Sequence, residues 1–177
     1  MKTILPMLLL VFLGCTICEA GDFSIRSADF KPDAMIAATQ VYRGYGCTGD
    51  NVAPQVSWHG APAAARSFAL TLFDPDANDG KGWWHWLVVD IPAGTQSLAA
   101  GAGLPNGARA LRNDFGDNGY GGPCPPPGDS PHHYVLTVYA LDVAQLPLTA
   151  TSKPDAARRM ILEHTLAQAS ITARYGR

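Results

Sequence analysis

The sequence predicts a mostly β protein built from short antiparallel strands, and three observations carry that reading. Glycine (18) and proline (14) are frequent and scattered through 177 residues, so elements are short and turns many, as in a sandwich or barrel. Apolar residues alternate with period two in several separate segments. Convincing helical periodicity occurs once. The length fits one domain, and 47% apolar residues suffice for a core.

The N-terminus reads as a targeting signal over residues 1–20. Lys2 supplies a positive charge, the apolar run Ile4 to Leu13 is too short to span a bilayer, and Cys18-Glu19-Ala20 ends the segment with small residues at both specificity positions. Cleavage after Ala20 leaves a domain over 21–177 and predicts a periplasmic or secreted protein, with no membrane segment remaining. Two alternatives stay open: a buried N-terminal element, and a lipoprotein signal with Leu13-Gly14-Cys15 as the acylation site.

The strands follow in order. Asp22 to Phe30 places Phe23 and Ile25 on one face. Ala53 to Trp58 follows the glycine-rich stretch Gly44 to Asn51. In Ser67 to Phe73, the side chains Phe68, Leu70 and Leu72 face one way. Trp84 to Ile91 is almost wholly apolar, as expected of a strand covered on both faces. Tyr134 to Leu141 alternates again, and Ser170 to Tyr175 closes the chain as a strand with Ile171, Ala173 and Tyr175 on one face. The helix lies between these two. Ser152 is a candidate cap, Pro154 suits the first turn, and Ala157, Met160, Ile161, His164 and Gln168 recur at helical spacing. One helix among about six strands gives a mostly antiparallel sandwich.

Charged residues are sparse at 16% and the formal net charge is −2, which argues against a nucleic-acid binder and against an anionic membrane surface. Cleavage leaves Cys47 and Cys124. In an oxidising compartment these two read as one disulfide; separate buried thiols are the alternative, and neither has the short-spaced second cysteine of a zinc site.

Polar groups that carry chemistry gather in three places, each beside a strand. Asp74-Pro75-Asp76 follows the third strand, with carboxylates at i and i+2 expected on the same side. Trp83-Trp84-His85-Trp86 sets a histidine among aromatic walls, which dry a site and strengthen any charge within it. A loop from Gly121 to Gly128 offers backbone N–H groups to an anion, and His132 and Tyr134 after it share one face of their strand. His133 points the other way. Together these supply imidazoles, a phenol and loop amides for a small anion. The carboxylates are expected to orient the histidines and favour imidazolium.

The motifs Asp74-Pro75-Asp76-Ala77, Trp84-His85, the Gly122-to-Gly128 loop and His132-x-Tyr134 occur in an order and spacing that resembles the phosphatidylethanolamine-binding protein family, which includes the Raf kinase inhibitor proteins. The resemblance runs from about Phe23 to Tyr175. Asn113-Asp114-Phe115-Gly116, Gly119-Tyr120-Gly121-Gly122 and Gly82-Trp83-Trp84-His85-Trp86 are similar to the bacterial branch, and the exported, cysteine-containing form to its periplasmic members. The resemblance implies a two-sheet antiparallel β-sandwich with few short helices and a shallow pocket for phosphate, phosphoryl head groups or carboxylates. It assigns the pocket to Asp74, Asp76, His85, Gly122, Pro125, His132 and Tyr134. The chain departs from the eukaryotic pattern: Trp84 and Cys124 stand where those members often have histidine and glycine, and no pocket-gating helix follows Tyr175.

The expected function is therefore non-enzymatic binding of a small anionic ligand, with no cofactor, and with modulation of a protein partner or a homodimer as further expectations. Two other readings fit the same residues. Asp74, Asp76, His85 and His132 would ligate a metal in a phosphoester hydrolase. Alternatively, exposed loops would make the chain a secreted interaction or inhibitor protein.

Overall fold

A computed structural model describes residues 22–177, so the expected leader and the Cys15 alternative lie outside the described residues. The described chain is mostly strand and antiparallel. Five strands form the large sheet: β5 (Ser67–Asp74), β6 (Trp83–Pro92), β8 (Arg109–Ala110), β9 (His132–Leu141) and β10 (Thr165–Tyr175), in the order β10-β9-β5-β6-β8. A smaller sheet holds β1 (Ser24–Arg26), β4 (Val56–His59) and β7 (Ser97–Leu98), in the order β1-β4-β7, and β2 (Arg43–Gly44) pairs with β3 (Cys47–Thr48) as a separate ribbon.

The large sheet is covered on both faces. Phe68, Leu70 and Leu72 of β5 pack with Trp86, Val88 and Leu136 against Val56 and Trp58 of the small sheet. On the opposite face Ala69, Trp84, Leu87, Val89 and Leu141 pack against Ala157 and Ile161 of the helix Pro154–Glu163. This explains why Ser67 to Phe73 is buried on both sides although its sequence alternates. Burying apolar area on two faces at roughly 25 cal/mol per Å² supplies the main stabilisation of such a sheet.

Three sequence expectations shift. The helix ends at Glu163, and His164 and Gln168 fall outside it, because Thr165 begins β10, which pairs with β9 along its length. The Thr165 hydroxyl donates to the Ile161 carbonyl at 2.7 Å and so occupies one of the last helical acceptors. Ser152 does not cap the helix: Lys153 holds that position, and the Ser152 hydroxyl accepts the Thr149 N–H at 2.9 Å in the preceding turn. The first strand shrinks to Ser24–Arg26, since Ser27 turns the chain by accepting the N–H groups of Asp29 (3.1 Å) and Phe30 (3.0 Å).

Two bulges interrupt β6. Phe68 lies opposite Ile91 but Leu70 opposite Val88, and Leu72 lies opposite Trp86 but Phe73 opposite Trp84. The second irregularity leaves His85 as an extra residue with no partner on β5. Cys47 and Cys124 form a disulfide with Cα atoms 5.9 Å apart, joining the β2–β3 ribbon to the proline-rich loop.

Candidate functional site

The site is assembled where β5 ends and β9 begins. These strands are neighbours, so Asp74 and His132 meet at the sheet's end. The buried Asp74 carboxylate uses both oxygens. Oδ2 accepts from His132 Nδ1 at 2.8 Å, and Oδ1 accepts the N–H groups of Asp76 (2.9 Å) and Ala77 (3.1 Å). Pro75 fixes the turn that brings those amides round. Asp76 serves a different histidine from the one expected. Its Oδ2 accepts both the backbone N–H (2.7 Å) and Nδ1–H (2.8 Å) of His133, on the exposed side of β9. Burial would raise the Asp76 pKa, but the His133 backbone and side-chain bonds outweigh it and lower it.

His85 owes its direction to its bulge, a device that re-aims side chains beside sites. Only 3% of it is exposed. Its Nδ1 lies 2.8 Å from the Gly121 carbonyl and 3.1 Å from that of Gly122. Carbonyls only accept, so Nδ1 carries the proton and Nε2 keeps a lone pair in the neutral ring. Burial pushes the His85 pKa down to about 4, against the opposing pull of the Gly121 carbonyl and Asp74. The expectation that the carboxylates make His85 an imidazolium is thus corrected: desolvation wins.

The loop amides are also committed to the protein itself. Gly121 N–H donates to the His85 carbonyl at 2.9 Å and Gly122 N–H to Asn51 Oδ1 at 2.8 Å. Gly122 is a glycine for packing: a Cβ there would come within 2.0 Å of the Gln40 carbonyl oxygen.

Asp74, Asp76, His85, Pro125, His132 and Tyr134 line one cleft of about 520 Å³, and Gly122 does not. The Tyr134 side chain is fully buried, and among the described residues its hydroxyl makes no hydrogen bond of ordinary geometry, although the Asp74 carboxylate is close enough to act on it. Burial first, and the neighbouring Asp74 carboxylate second, raise its pKa, so it is a firm donor. Residues that sequence reasoning left out complete the wall. Phe115 stacks on Tyr42 at 4.1 Å between ring centroids and lies 5.4 Å from His85 and 5.5 Å from Trp83. It is held there because the Asp114 N–H donates to the Trp84 carbonyl at 3.0 Å, and Asp114 Oδ2 accepts the Trp84 N–H at 2.7 Å. The Asn113-to-Gly116 motif was visible in the sequence as a resemblance; its aromatic role was not. Tyr45, Asp79 and Asp129 complete the rim. Among the described residues no three of His, Cys, Asp and Glu are grouped so as to hold a metal ion.

The profile described as phosphatidylethanolamine-binding protein matches residues 26–176. The chain belongs to the phosphatidylethanolamine-binding protein family. It is 40% identical over 181 residues to the UPF0098 protein YbcL of Escherichia coli (strain K12), covering 99% of this chain and 98% of YbcL. A crystal structure of E. coli YbcL superposes with a TM-score of 0.85 at 41% identity, over 88% of this chain and 98% of that one. The candidate lipoprotein LppC of Mycobacterium tuberculosis is 46% identical over 108 residues, which is 60% of this chain and 52% of LppC.

In this family member two departures from the eukaryotic pattern have structural readings. Trp84 faces the helix rather than the cleft, packing in the second core and donating its indole N–H to Asp155 at 3.2 Å. Beyond Tyr175, Arg177 reaches back to the cleft loop: its Nε donates to the Pro125 carbonyl at 2.7 Å and its Nη1 to that of Gly46 at 2.9 Å. Arg177 and the disulfide therefore fasten the same two loops.

Proposed function

We propose that this chain is an exported, non-enzymatic binding protein whose cleft takes a small oxyanion: phosphate, a phosphoryl head group or a carboxylate. The carrying observation is the buried Tyr134 hydroxyl, which makes no hydrogen bond of ordinary geometry beside the Asp74–His132 pair. An unpaired buried donor costs about 1–3 kcal/mol, and a ligand oxygen relieves that penalty. Asp74 holds His132 through Nδ1, which leaves Nε2, 3.6 Å from Asp129 Oδ2 at the rim, to donate to a ligand oxygen when the ring is imidazolium. Calorimetric titration with phosphate is expected to show binding that falls about ten- to a hundredfold in His132→Ala. Asp74→Asn is expected to weaken binding too, although it removes a negative charge. Tighter binding in Asp74→Asn would overturn the orienting role, and unchanged binding in His132→Ala would overturn the pocket.

Export is supported by the disulfide, which persists in oxidising compartments, and by the lipoprotein description of LppC. The mature chain is expected to begin at Gly21. N-terminal sequencing that finds Met1 on the soluble protein counts against it, and an acylated Cys15 favours the lipoprotein form. Modulation of a protein partner, with the cleft as the ligand-sensitive element, is part of the same reading.

A further inference from the structure

The cleft that would hold an anion is short of positive charge. Among the described residues four carboxylates line it, those of Asp74, Asp76, Asp79 and Asp129, and no Lys or Arg does. His85 is anchored through Nδ1 to two carbonyls, so its remaining polar atom, Nε2, is an acceptor without a protein partner. Across from it stands the Tyr134 hydroxyl, a donor with no hydrogen bond of ordinary geometry, with the two rings 5.2 Å apart between centroids. A second orphaned donor, the indole N–H of Trp83, belongs to another lining residue. The polar equipment is thus mixed. It wants oxygens that accept and, at His85, one group that donates.

We propose that the cleft selects oxyacid monoanions that still carry a proton, donating that O–H to Nε2 of His85 while their other oxygens accept from Tyr134 and, when its ring is imidazolium, from Nε2 of His132. This rests on the anion reading of the same cleft and narrows it, since a carboxylate or a diester head group brings no proton for His85 to accept. The class is phosphate and phosphomonoesters in their hydrogen form. Sulfate is excluded because it has two charges and no proton. A phosphodiester, the phosphate of an intact phospholipid, is excluded because it has one charge and no proton. In each excluded case the lone pair of His85 faces an oxygen, and an acceptor left against an acceptor is the kind of mismatch a site rejects strongly. A second negative charge also meets the buried Asp74 carboxylate, where screening is weak.

The titratable groups that bear on His85 are Asp74, His132 and Tyr134 beside it and Asp76, Asp79 and Asp129 nearer the mouth. His85 itself stays neutral down to about 4, so it does not supply a proton near neutrality. The proton comes with the ligand, whose second ionisation lies near neutral pH, at about 6 for a phosphomonoester.

The test titrates the mature chain calorimetrically with inorganic phosphate, methyl phosphate, dimethyl phosphate and sulfate, at about pH 5.5 and about pH 8.5, on either side of that ionisation. At the lower pH, phosphate and methyl phosphate are expected to bind about tenfold or more tighter than dimethyl phosphate and sulfate. Both favoured ligands are expected to lose more affinity at the higher pH than dimethyl phosphate or sulfate does. His85→Gln, which can present an amide donor instead, is expected to narrow the gap between phosphate and sulfate. Sulfate or dimethyl phosphate binding as well as phosphate at the lower pH overturns the selection and leaves the anion cleft standing. Deprotonation of His132 weakens every anion alike, so sulfate losing as much affinity as phosphate between the two pH values puts the only proton that matters on the protein and overturns the selection. Absence of binding by all four ligands overturns both readings. If His85→Gln does not fold, the four-ligand ranking in the natural chain decides alone.

Discussion

His85 combines deep burial with a hydrogen bond that stabilises only one tautomer, and this has a consequence for stability. Its folded pKa of about 4 lies below the ordinary value of 6.5, so the unfolded chain takes up the proton first as pH falls. The native state is fully favoured above about pH 6.5 and loses roughly 3 kcal/mol on the way down to about pH 4. Below that, both states are protonated and His85 adds no further slope. The lowered pKa of Asp76 acts in the same direction at lower pH, since its stabilisation is lost as the carboxylate takes up a proton. Urea unfolding of the natural chain and of His85→Gln across this range is expected to show the shallower slope in the variant. Equal slopes would remove His85 as the source. The sequence made His85 visible as a histidine among tryptophans, but not its charge. That depends on a one-residue bulge and on two loop carbonyls 36 and 37 positions away. Gly122 was misread for a related reason. A glycine that admits a ligand and one that admits another stretch of backbone look alike in a sequence, and only the Gln40 carbonyl beside it tells them apart.

At the level of elements, the strands with strong alternation were legible and their ends were not. β9 begins at His132 rather than Tyr134, and β10 at Thr165 rather than Ser170, because pairing to a neighbour extends a strand beyond its own apolar pattern. The first bulge of β6 was likewise hidden. It puts Asp90 in a left-handed conformation (φ 59°), where the buried carboxylate accepts from Arg109 Nε at 2.7 Å and from the Leu146 N–H at 2.9 Å. Arg109 in turn donates to the Leu148 carbonyl at 2.6 Å. One carboxylate therefore ties β6 and β8 to the segment leading into the helix. Asp90→Asn keeps a residue that tolerates the left-handed backbone while removing the charge and half the acceptors. The expected loss is about 1–3 kcal/mol, read as a lower urea midpoint at unchanged slope. A midpoint equal to that of the natural chain would show that the tie contributes nothing.

For the whole molecule, the two-sheet class and the disulfide could be anticipated because each rests on features a sequence states directly: turn residues, alternation and the pair of cysteines left by the expected cleavage. The Cys47–Cys124 bridge spans 77 positions, and in the chain-entropy model such a link contributes about 4–5 kcal/mol, less any strain. Cys124→Ser is expected to lower stability by up to that amount. Thermal unfolding of the oxidised, reduced and variant proteins checks it, and a melting temperature unchanged by reduction would rule it out. The bracing of the cleft also bears on the order of events in folding. The β5–β6 and β9–β10 pairs close between sequence neighbours, whereas the cleft needs Tyr45, His85, Pro125 and Tyr134 in place and Arg177 folded back across two loops. Contacts of such long sequence separation close late. Ligand competence is therefore reached after the β5–β6 and β9–β10 pairs have formed, together with the equally long-range β5–β9 pairing, and a chain still lacking its last residues has those two strand pairs before it has its pocket.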